Sequence, residues 1–515
     1  MPKLLKNPRI LKKSNNKYFN HFFQLWPTLL VNLAALSSGL SLGFSAIALP
    51  QLKSNATWYG QTELYQPFII DMESGSWIAS VFGVGAIFGG FASAYLGSKF
   101  GQRKSLIMLA VPDIVSWIII ASSRNVPMMM IGRFLSGFCA AGYSPTIQTY
   151  IAEIAQPQHR GWLGGLTTPI LAFGSLLSYA LGSLISWHYV AIIGMLIPIF
   201  MIPLLVSLLD DSPYWYLVQL GDEKKALQVM EKFREHGANG LAELLAVSDS
   251  LRMIPQLSAR ETICQLTQRQ FRRPFLTLNF LFILMTFTGN FAISFYAVDV
   301  FQQSACHGSI NEYVSAIIIG AIKFLGAILF IPAVKNISRR MLICSSAFVM
   351  GISMAILGLA MYAHETGHLS AMATMTWLPL LCVTVYMLAD PIGVGSVPFL
   401  YLGEFFPSEM RALLSGLTIS LSNLEMFVVV KTFPNLSHTM GNSGTFWLYA
   451  GFCFVTILYT LVWIPETKGR TLQDIEKYFS HKESLHVTPY ATPVGSPATS
   501  KKGPFPHHAS IQFTL

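Results

Sequence analysis

The chain has 515 residues, of which 52% are hydrophobic and only 11% are charged; its mean hydropathy is +0.50 and its formal net charge is +9. Soluble domains carry roughly 25% charged residues, and a soluble core stops growing beyond about 250–300 residues. This composition excludes a soluble globular protein and predicts a chain that is solvated largely by lipid.

Apolar windows long enough to cross a bilayer recur along the chain. A helix of about 20 apolar residues spans the hydrocarbon layer and satisfies its own backbone hydrogen bonds. We predict about twelve such spans, six on each side of a polar stretch at 210–273. The predicted spans are 26–49, 76–97, 105–123, 127–150, 163–186, 188–209, 274–301, 311–334, 341–362, 373–402, 411–434 and 444–464.

Basic residues gather on one predicted side of the membrane. The N-terminal segment 1–25, the short loops after spans two and eight, and the segment 465–515 all fall on the side shared by both termini. The positive-inside rule therefore predicts cytosolic termini, and this distribution argues against nucleic acid as the reason for the net charge. The linker 210–273 is predicted to form short amphipathic helices on the cytosolic face, and the tail beyond about residue 480 to be disordered.

Two glycosylation sequons fall on the predicted outer side, at Asn55 and Asn435, and a third, at Asn336, falls inside. We expect the outer two to be used and the inner one not. The six cysteines show no paired spacing, and only Cys306 is expected in an outer loop. No disulfide framework is predicted.

A motif repeats between the two halves. Tyr150-x-x-Glu153-x6-Arg160 recurs with the same spacing as Tyr401-x-x-Glu404-x6-Arg411. Two six-helix halves predict a solute site between them that is exposed alternately to each side. The repeated Glu and Arg residues lie at cytosolic span ends, where they either form ion pairs that gate the cavity or only anchor helix ends in the headgroup layer.

Four ionisable residues fall within the predicted spans: Asp113, Lys323, Asp390 and Glu425. An unpaired Lys323 ammonium at mid-membrane would cost roughly 2.5–3.5 kcal/mol. Three interpretations stay open: a buried structural pair with Glu425 or Asp390, contact with the solute or a coupling ion, and snorkelling. Asp113 is predicted to pair with Arg133 early in span four, with a proton-coupling role as the alternative.

Several segments resemble the sugar porters of the major facilitator superfamily over nearly the whole chain. They are Gly132-Arg133-Phe134-Leu135-x-Gly137, Tyr150-Ile151-Ala152-Glu153, Arg160-Gly161 and Pro465-Glu466-Thr467-Lys468-Gly469. Within that family the chain is most similar to the insect facilitated trehalose transporters, through segments such as Gly75-Ser76-Trp77 and Lys431-Thr432-Phe433. The resemblance implies an all-α membrane protein with the major facilitator fold, in which twelve transmembrane helices form two pseudo-symmetric six-helix halves.

The resemblance also implies functional positions. Substrate contacts are expected at Thr168, Thr286, Thr288, Asn290, Tyr296, Lys323, Phe399 and Asn423. A cytosolic gate is expected at Arg103, Glu153, Arg160, Arg340, Glu404, Arg411 and Glu466. Thr168, Lys323 and Phe399 stand where the family has Gln, Asn and Trp, so this cavity has fewer groups that hold sugar hydroxyls. Pro391, Gly393, Gly395 and Pro398 are expected to break span ten as a hinge.

These patterns predict a facilitative sugar carrier, for trehalose or a hexose, in the plasma membrane. Span one has no acid between Trp26 and Pro50, where proton-driven sugar porters place one, which favours facilitation. The alternatives are a carrier of another small solute, such as an organic anion, and a non-transporting receptor or sensor. We find no nucleophile–base constellation, metal-ligand spacing or phosphate-binding loop, so we expect no enzyme, no cofactor and no metal; the expected partners are the solute and the lipid bilayer, and the chain is expected to be a monomer.

Overall fold

The computed structural model describes residues 17–53, 68–156, 159–233, 268–303, 312–366, 377–407, 410–470 and 472–480, and all regular structure in these ranges is helical. The first half begins with α1 (Lys17–Val31) and α2 (Leu33–Gln51), which together form the first crossing. Its other helices are α3 (Met72–Phe100), α4 (Gln102–Ala121), α5 (Val126–Ile154), α6 (Arg160–Gly165), α7 (Thr167–Leu184) and α8 (Trp187–Leu208).

Two short helices follow the first half, α9 (Pro213–Val218) and α10 (Glu223–Phe233). The amphipathic pattern of α10 explains its position, because Ala226, Val229 and Met230 point inward and are buried. The Gln24 side chain donates to the carbonyl of Phe233 at 2.8 Å and so ties the end of α10 to α1.

The second half contains two interrupted crossings. The seventh is α11 (Arg269–Phe287), α12 (Asn290–Phe295) and α13 (Ala297–Gln303); the tenth is α16 (Leu378–Ala389), a 3-10 turn at Asp390–Ile392 and α17 (Val397–Phe405). The remaining helices are α14 (Glu312–Asn336), α15 (Arg339–Thr366), α18 (Arg411–Trp463) and α19 (Leu472–Ser480).

Within the described ranges, nine helices are long and apolar enough to cross a membrane. One of them, α18, has 53 residues and is two crossings, because Gly441 has a φ of 74° and breaks it near its middle. The 29-residue α5 and the broken seventh segment add two more crossings. The helices therefore supply the twelve crossings that the hydropathy pattern predicts.

Candidate functional site

The seventh crossing breaks where two of the predicted substrate contacts lie. Gly289 has a φ of 91°, and a Cβ at this position would come within 2.4 Å of the Tyr449 ring. Only glycine adopts this conformation without strain and without that clash. The Tyr386 hydroxyl donates to the Thr288 carbonyl at 2.9 Å and so satisfies a backbone group that the break releases.

A buried polar network surrounds this break. The Lys323 ammonium donates to the Ser294 hydroxyl on α12 at 2.9 Å, and Asp390 is its electrostatic partner. The Asn290 amide donates to Asp390 Oδ1 at 3.2 Å. From the first half, the Tyr179 hydroxyl on α7 donates to the Ser294 carbonyl at 2.8 Å. The short helix α12 therefore has hydrogen bonds to both halves. A movement of one half relative to the other would change these bonds.

The contact that the structure gives Lys323 is with a hydroxyl. Its ammonium donates to Ser294 and makes no direct ion pair with Asp390 or Glu425; Asp390 acts on it only through its charge, so pairing with either acid stays a prediction. Glu425 lies instead beside Thr286. Glu425 Oε2 and Thr286 Oγ1 are both buried next to each other, and neither makes a hydrogen bond of good geometry to a described residue. Buried polar atoms are nearly always paired, so these two mark a place where the second half can accept a polar ligand or water.

The other predicted substrate contacts do not all gather at this network. Thr168 and Asn423 are partly buried. Phe399 is 45% exposed and meets Phe282 edge-on at 5.1 Å between ring centroids. Tyr296 is buried and lines a separate cavity of about 290 Å³, together with Lys53 and Asp299.

The predicted Asp113–Arg133 pair is wrong. Asp113 Oδ2 accepts hydrogen bonds from Ser37 at 2.7 Å and from Tyr143 at 3.1 Å. Arg133 instead donates to α2, and its guanidinium lies 4.8 Å from the centre of the Phe82 ring. Each buried charge has separate partners, so neither needs the other.

Asp113 and Arg133 have separate partners because α2 presents serines to both of them. Arg133 Nη1 donates to the Ser41 carbonyl at 2.7 Å, and Nη2 donates to the Ser45 hydroxyl at 2.7 Å. Ser37, Ser41 and Ser45 are four residues apart and so form a polar stripe on one face of α2. Ser37 contacts Asp113 on α4, and Ser41 and Ser45 contact Arg133 on α5. The spacing is visible in the sequence, but the charges that the stripe meets are not.

We call the membrane side that carries Arg103, Asp211 and Arg339 the terminal face, and the opposite side, with Lys53 and Glu73, the far face. On the terminal face of the first half, Arg103 Nη1 donates to the Leu209 carbonyl at 2.5 Å, and its Nε lies 3.7 Å from Asp211. Burial raises the pKa of Asp211, and the charge of Arg103 opposes that shift.

The second half repeats this arrangement. The backbone N–H groups of Arg339 and Arg340 each donate to Glu466 at 3.2 Å. Glu404 lies 3.5 Å from the Arg339 guanidinium and accepts a hydrogen bond from Thr467 at 2.5 Å. In the first half Glu153 meets the corresponding hydroxyl, that of Ser212. The repeat read from the sequence is therefore also a repeat of contacts.

None of these described contacts joins the two halves. Arg411 donates to the Phe406 carbonyl at 3.1 Å, within its own half, and Arg160 is exposed. Ion pairs between the halves at Glu153, Arg160, Glu404 and Arg411 are not formed in this conformation. Their role as a gate stays a prediction.

The far face does carry ion pairs between the halves. Lys431 on α18 contacts Glu73 on α3 at 2.6 Å and donates to Ser76 at 2.6 Å, and its ammonium lies 4.4 Å from the centre of the Trp77 ring. Lys53, which follows α2, lies 2.6 Å from the buried Asp299 on α13. These contacts hold the far ends of the halves together, and sequence reasoning assigned no role to them.

We expect Lys431→Gln to loosen this closure. Removal of a partly exposed ion pair of this kind costs about 1 kcal/mol, which corresponds to a shift of roughly fivefold toward the conformation that is open at the far face. A cysteine introduced by Ser80→Cys, one turn from Ser76 and buried, measures this opening. A membrane-impermeant thiol reagent should label that cysteine faster when Lys431→Gln is also present. Lys99→Gln, at the other end of α3, is the control. Equal labelling rates in all three chains would contradict the assignment.

The geometry defines a class of protein. Two six-helix halves meet around broken helices and a buried polar network, which is the architecture of a secondary transporter. The chain matches the family of sugar (and other) transporters over residues 28–479, and it belongs to that family. Because this is a family of transporters, the chain is a multi-pass membrane protein and not an enzyme.

Individual relatives match the chain over most of its length. The chain is 31% identical over 455 residues to the facilitated trehalose transporter Tret1 of Drosophila yakuba, and the match covers 88% of this chain and 52% of that protein. The chain thus spans about half the length of this relative. A Tret1-2 homolog from Drosophila sechellia is 29% identical, and the match covers 91% of its length.

Solved structures share the fold. The inward open conformation of the xylose transporter XylE from E. coli superposes with a TM-score of 0.71 at 22% identity, covering 88% of this chain and 99% of XylE. This confirms the predicted fold: an all-α membrane protein of the major facilitator type, with twelve transmembrane helices in two pseudo-symmetric halves.

Proposed function

We propose that this chain is a facilitative carrier of a neutral sugar, trehalose or a hexose, that works by alternating access. The observation that carries the proposal is the break of the seventh crossing, where Ser294 is bound from both halves by Tyr179 and Lys323. The trehalose-transporter relatives support the choice of solute. We further propose a plasma-membrane location with both termini in the cytosol.

Cytosolic termini would make the far face the outer face. The structure would then have its outer side closed by Lys431–Glu73 and Lys53–Asp299. In the opposite conformation we propose that the terminal-face clusters approach each other and that Glu153, Arg160, Glu404 and Arg411 exchange partners across the halves. Of the predicted glycosylation sites, Asn435 is exposed on α18, and Asn55 lies outside the described residues.

An anionic solute is less favoured. Lys323 suggested it, but its ammonium already donates to Ser294 and faces Asp390. A compensated charge attracts an anion weakly, because both charges act on it. A sensor that binds a sugar without moving it remains the alternative outcome of the test below.

The test is uptake of radiolabelled trehalose and glucose by oocytes that display the chain at their surface. We expect saturable uptake and counterflow that do not change when the pH gradient is collapsed. Binding without counterflow would identify a sensor; saturable uptake of an organic anion and of neither sugar would overturn the choice of solute.

A matched pair of threonine variants tests the site in the same assay. Thr286 Oγ1 is buried beside Glu425 and makes no hydrogen bond of good geometry to a described residue, whereas Thr456 Oγ1 donates to the Phe452 carbonyl at 2.8 Å. If Thr286 binds solute, Thr286→Val removes a hydrogen bond and lowers uptake at low sugar concentration roughly tenfold. Thr456→Val should leave uptake near that of the parent chain. Equal uptake by both variants would remove Thr286 from the site.

A further inference from the structure

A groove lies on the outer surface of the second half, between α11 and the second crossing of α18. Its volume is about 400 Å³. Apolar and aromatic side chains line it: Phe280 from α11, and Val455, Leu458, Tyr459 and Trp463 from α18. Four of these side chains are exposed, and Tyr459 is buried. An exposed apolar surface of this kind marks an interaction site, and inside a membrane its occupant is apolar.

Tyr459 forms the floor of this groove and joins its two helices. The Tyr459 hydroxyl donates to the Thr277 carbonyl on α11 at 2.9 Å. The centre of its ring lies 4.7 Å from that of Phe280 and 5.3 Å from that of Trp463, on which it stacks. The hydrogen bond and the ring contacts fix the shape of the groove, so an occupant does not have to form it.

The groove runs from the headgroup level of the terminal face into the acyl-chain layer. Trp463 ends α18, three residues before Glu466, which accepts a hydrogen bond from the Arg339 N–H on that face. Tryptophan is enriched at the level of the lipid headgroups. Val455 lies eight residues before Trp463, which places it about 12 Å deeper at 1.5 Å per residue. The length and the depth of the groove therefore suit an acyl chain.

Basic side chains continue the line of the groove toward water. Counted from the start of α11, at spacings of four, three and four residues, the helix carries Arg269, Arg273, Leu276 and Phe280. Residues at these spacings share one face of a helix, and all four are exposed. Neither guanidinium has an ion pair or a hydrogen bond to another described residue. Two positive charges therefore lie at the headgroup end of the apolar groove, available to an anion.

We propose that this groove binds one anionic phospholipid from the leaflet at the terminal face. Its acyl chain lies along Leu458 and Phe280, and its phosphate accepts charge-assisted hydrogen bonds from Arg269 and Arg273. Each basic residue near the surface raises the affinity for an anionic lipid roughly fivefold, whereas a zwitterionic lipid brings a cation that the arginines repel. The bound lipid contacts α11, the helix that leads to the break at Gly289.

Native mass spectrometry of the purified protein, which counts bound lipid molecules, tests the headgroup preference. The probes are phosphatidylserine and phosphatidylcholine with identical acyl chains. We expect phosphatidylserine to bind at least about fivefold more tightly, and Arg269→Gln combined with Arg273→Gln to abolish this preference. Lys99→Gln combined with Lys335→Gln removes two exposed charges from the same face and should keep it. A parent chain without the preference, or an equal effect of the two double variants, overturns the proposal.

A photoreactive lipid tests where the acyl chain lies. Phosphatidylserine with a diazirine in its acyl chain should cross-link to α18 around Val455 and Leu458, and excess unlabelled phosphatidylserine should suppress that cross-link. Phe200 on α8 is the matched control, because it is exposed and lies eight residues before the end of its helix, as Val455 does. Cross-links near Phe200 should be suppressed much less. Equal suppression at both places, or suppression by glycerophosphoserine, which has the headgroup and no acyl chain, overturns the groove as the site.

Discussion

Lys323→Met should destabilise the protein by about 1.5–3 kcal/mol, because it removes a charged hydrogen bond to Ser294 and the cation whose charge acts on the buried carboxylate of Asp390. Asp390 would then keep the Asn290 amide as its side-chain partner, at 3.2 Å, and one neutral donor does not replace a charge inside the membrane. The measurement is the apparent Tm of the purified protein in detergent, together with its yield as a monodisperse peak.

A double variant tests whether the lost stability arises from the charge of Lys323. Lys323→Met combined with Asp390→Asn removes both charges and should recover most of the lost stability. Lys335→Met removes an exposed lysine from the same helix, α14, and should change the Tm little. If the double variant is as unstable as Lys323→Met alone, the packing of the lysine stem, and not its charge, is what matters.

The fold was predictable because the apolar runs that form the crossings are long and recur along the whole chain. Each crossing is a run of apolar residues that must satisfy its own backbone hydrogen bonds, so composition alone locates it. The break of span ten was also predicted, since its Pro and Gly residues coincide with the 3-10 turn at Asp390–Ile392. The break of the seventh crossing at Gly289 was not predicted. Whether span ten bends during transport stays a prediction.

The partners of buried charges were harder to predict. Asp113 and Arg133 lie near each other along a helical hairpin, and that proximity led to the wrong pair. The sequence does not state that α2 packs against both helices and presents Ser37 to one and Ser41 to the other. Hydroxyls and carbonyls are too common for composition to identify which ones will meet a charge.

The far-face contacts escaped prediction for a related reason. Lys431 and Glu73 are separated by most of the chain and lie in different halves. Their contact depends on the angle between the halves in this conformation, which no local pattern specifies. The duplicated motif was visible in the sequence, and it places Glu153 and Glu404 beside equivalent hydroxyls in both halves. Those hydroxyl contacts were not predicted, because the sequence pointed to arginine partners for these residues.

The packing of α3 against α5 supplies the other large expected effect. Gly85 and Gly89 are four residues apart, and a Cβ at each would lie 1.9 Å from the carbonyl oxygens of Phe134 and Phe138, respectively. Small residues at this spacing let two helix backbones approach closely inside a membrane. The obstacle is backbone, which cannot rotate away as a side chain can.

We therefore expect Gly85→Ala to destabilise the protein by at least about 3 kcal/mol. Alanine gains up to about 1 kcal/mol of helix propensity over glycine, but overpacking against a rigid neighbour typically costs about 1–3 kcal/mol and more where backbone must move. Gly451→Ala, in a helix and with nothing within 4 Å of its Cβ position, keeps the gain without the clash and should be neutral or slightly stabilising. Thermal unfolding of the two purified variants checks the difference. Similar Tm values would mean that α3 and α5 pack less closely in the membrane than the structure has them.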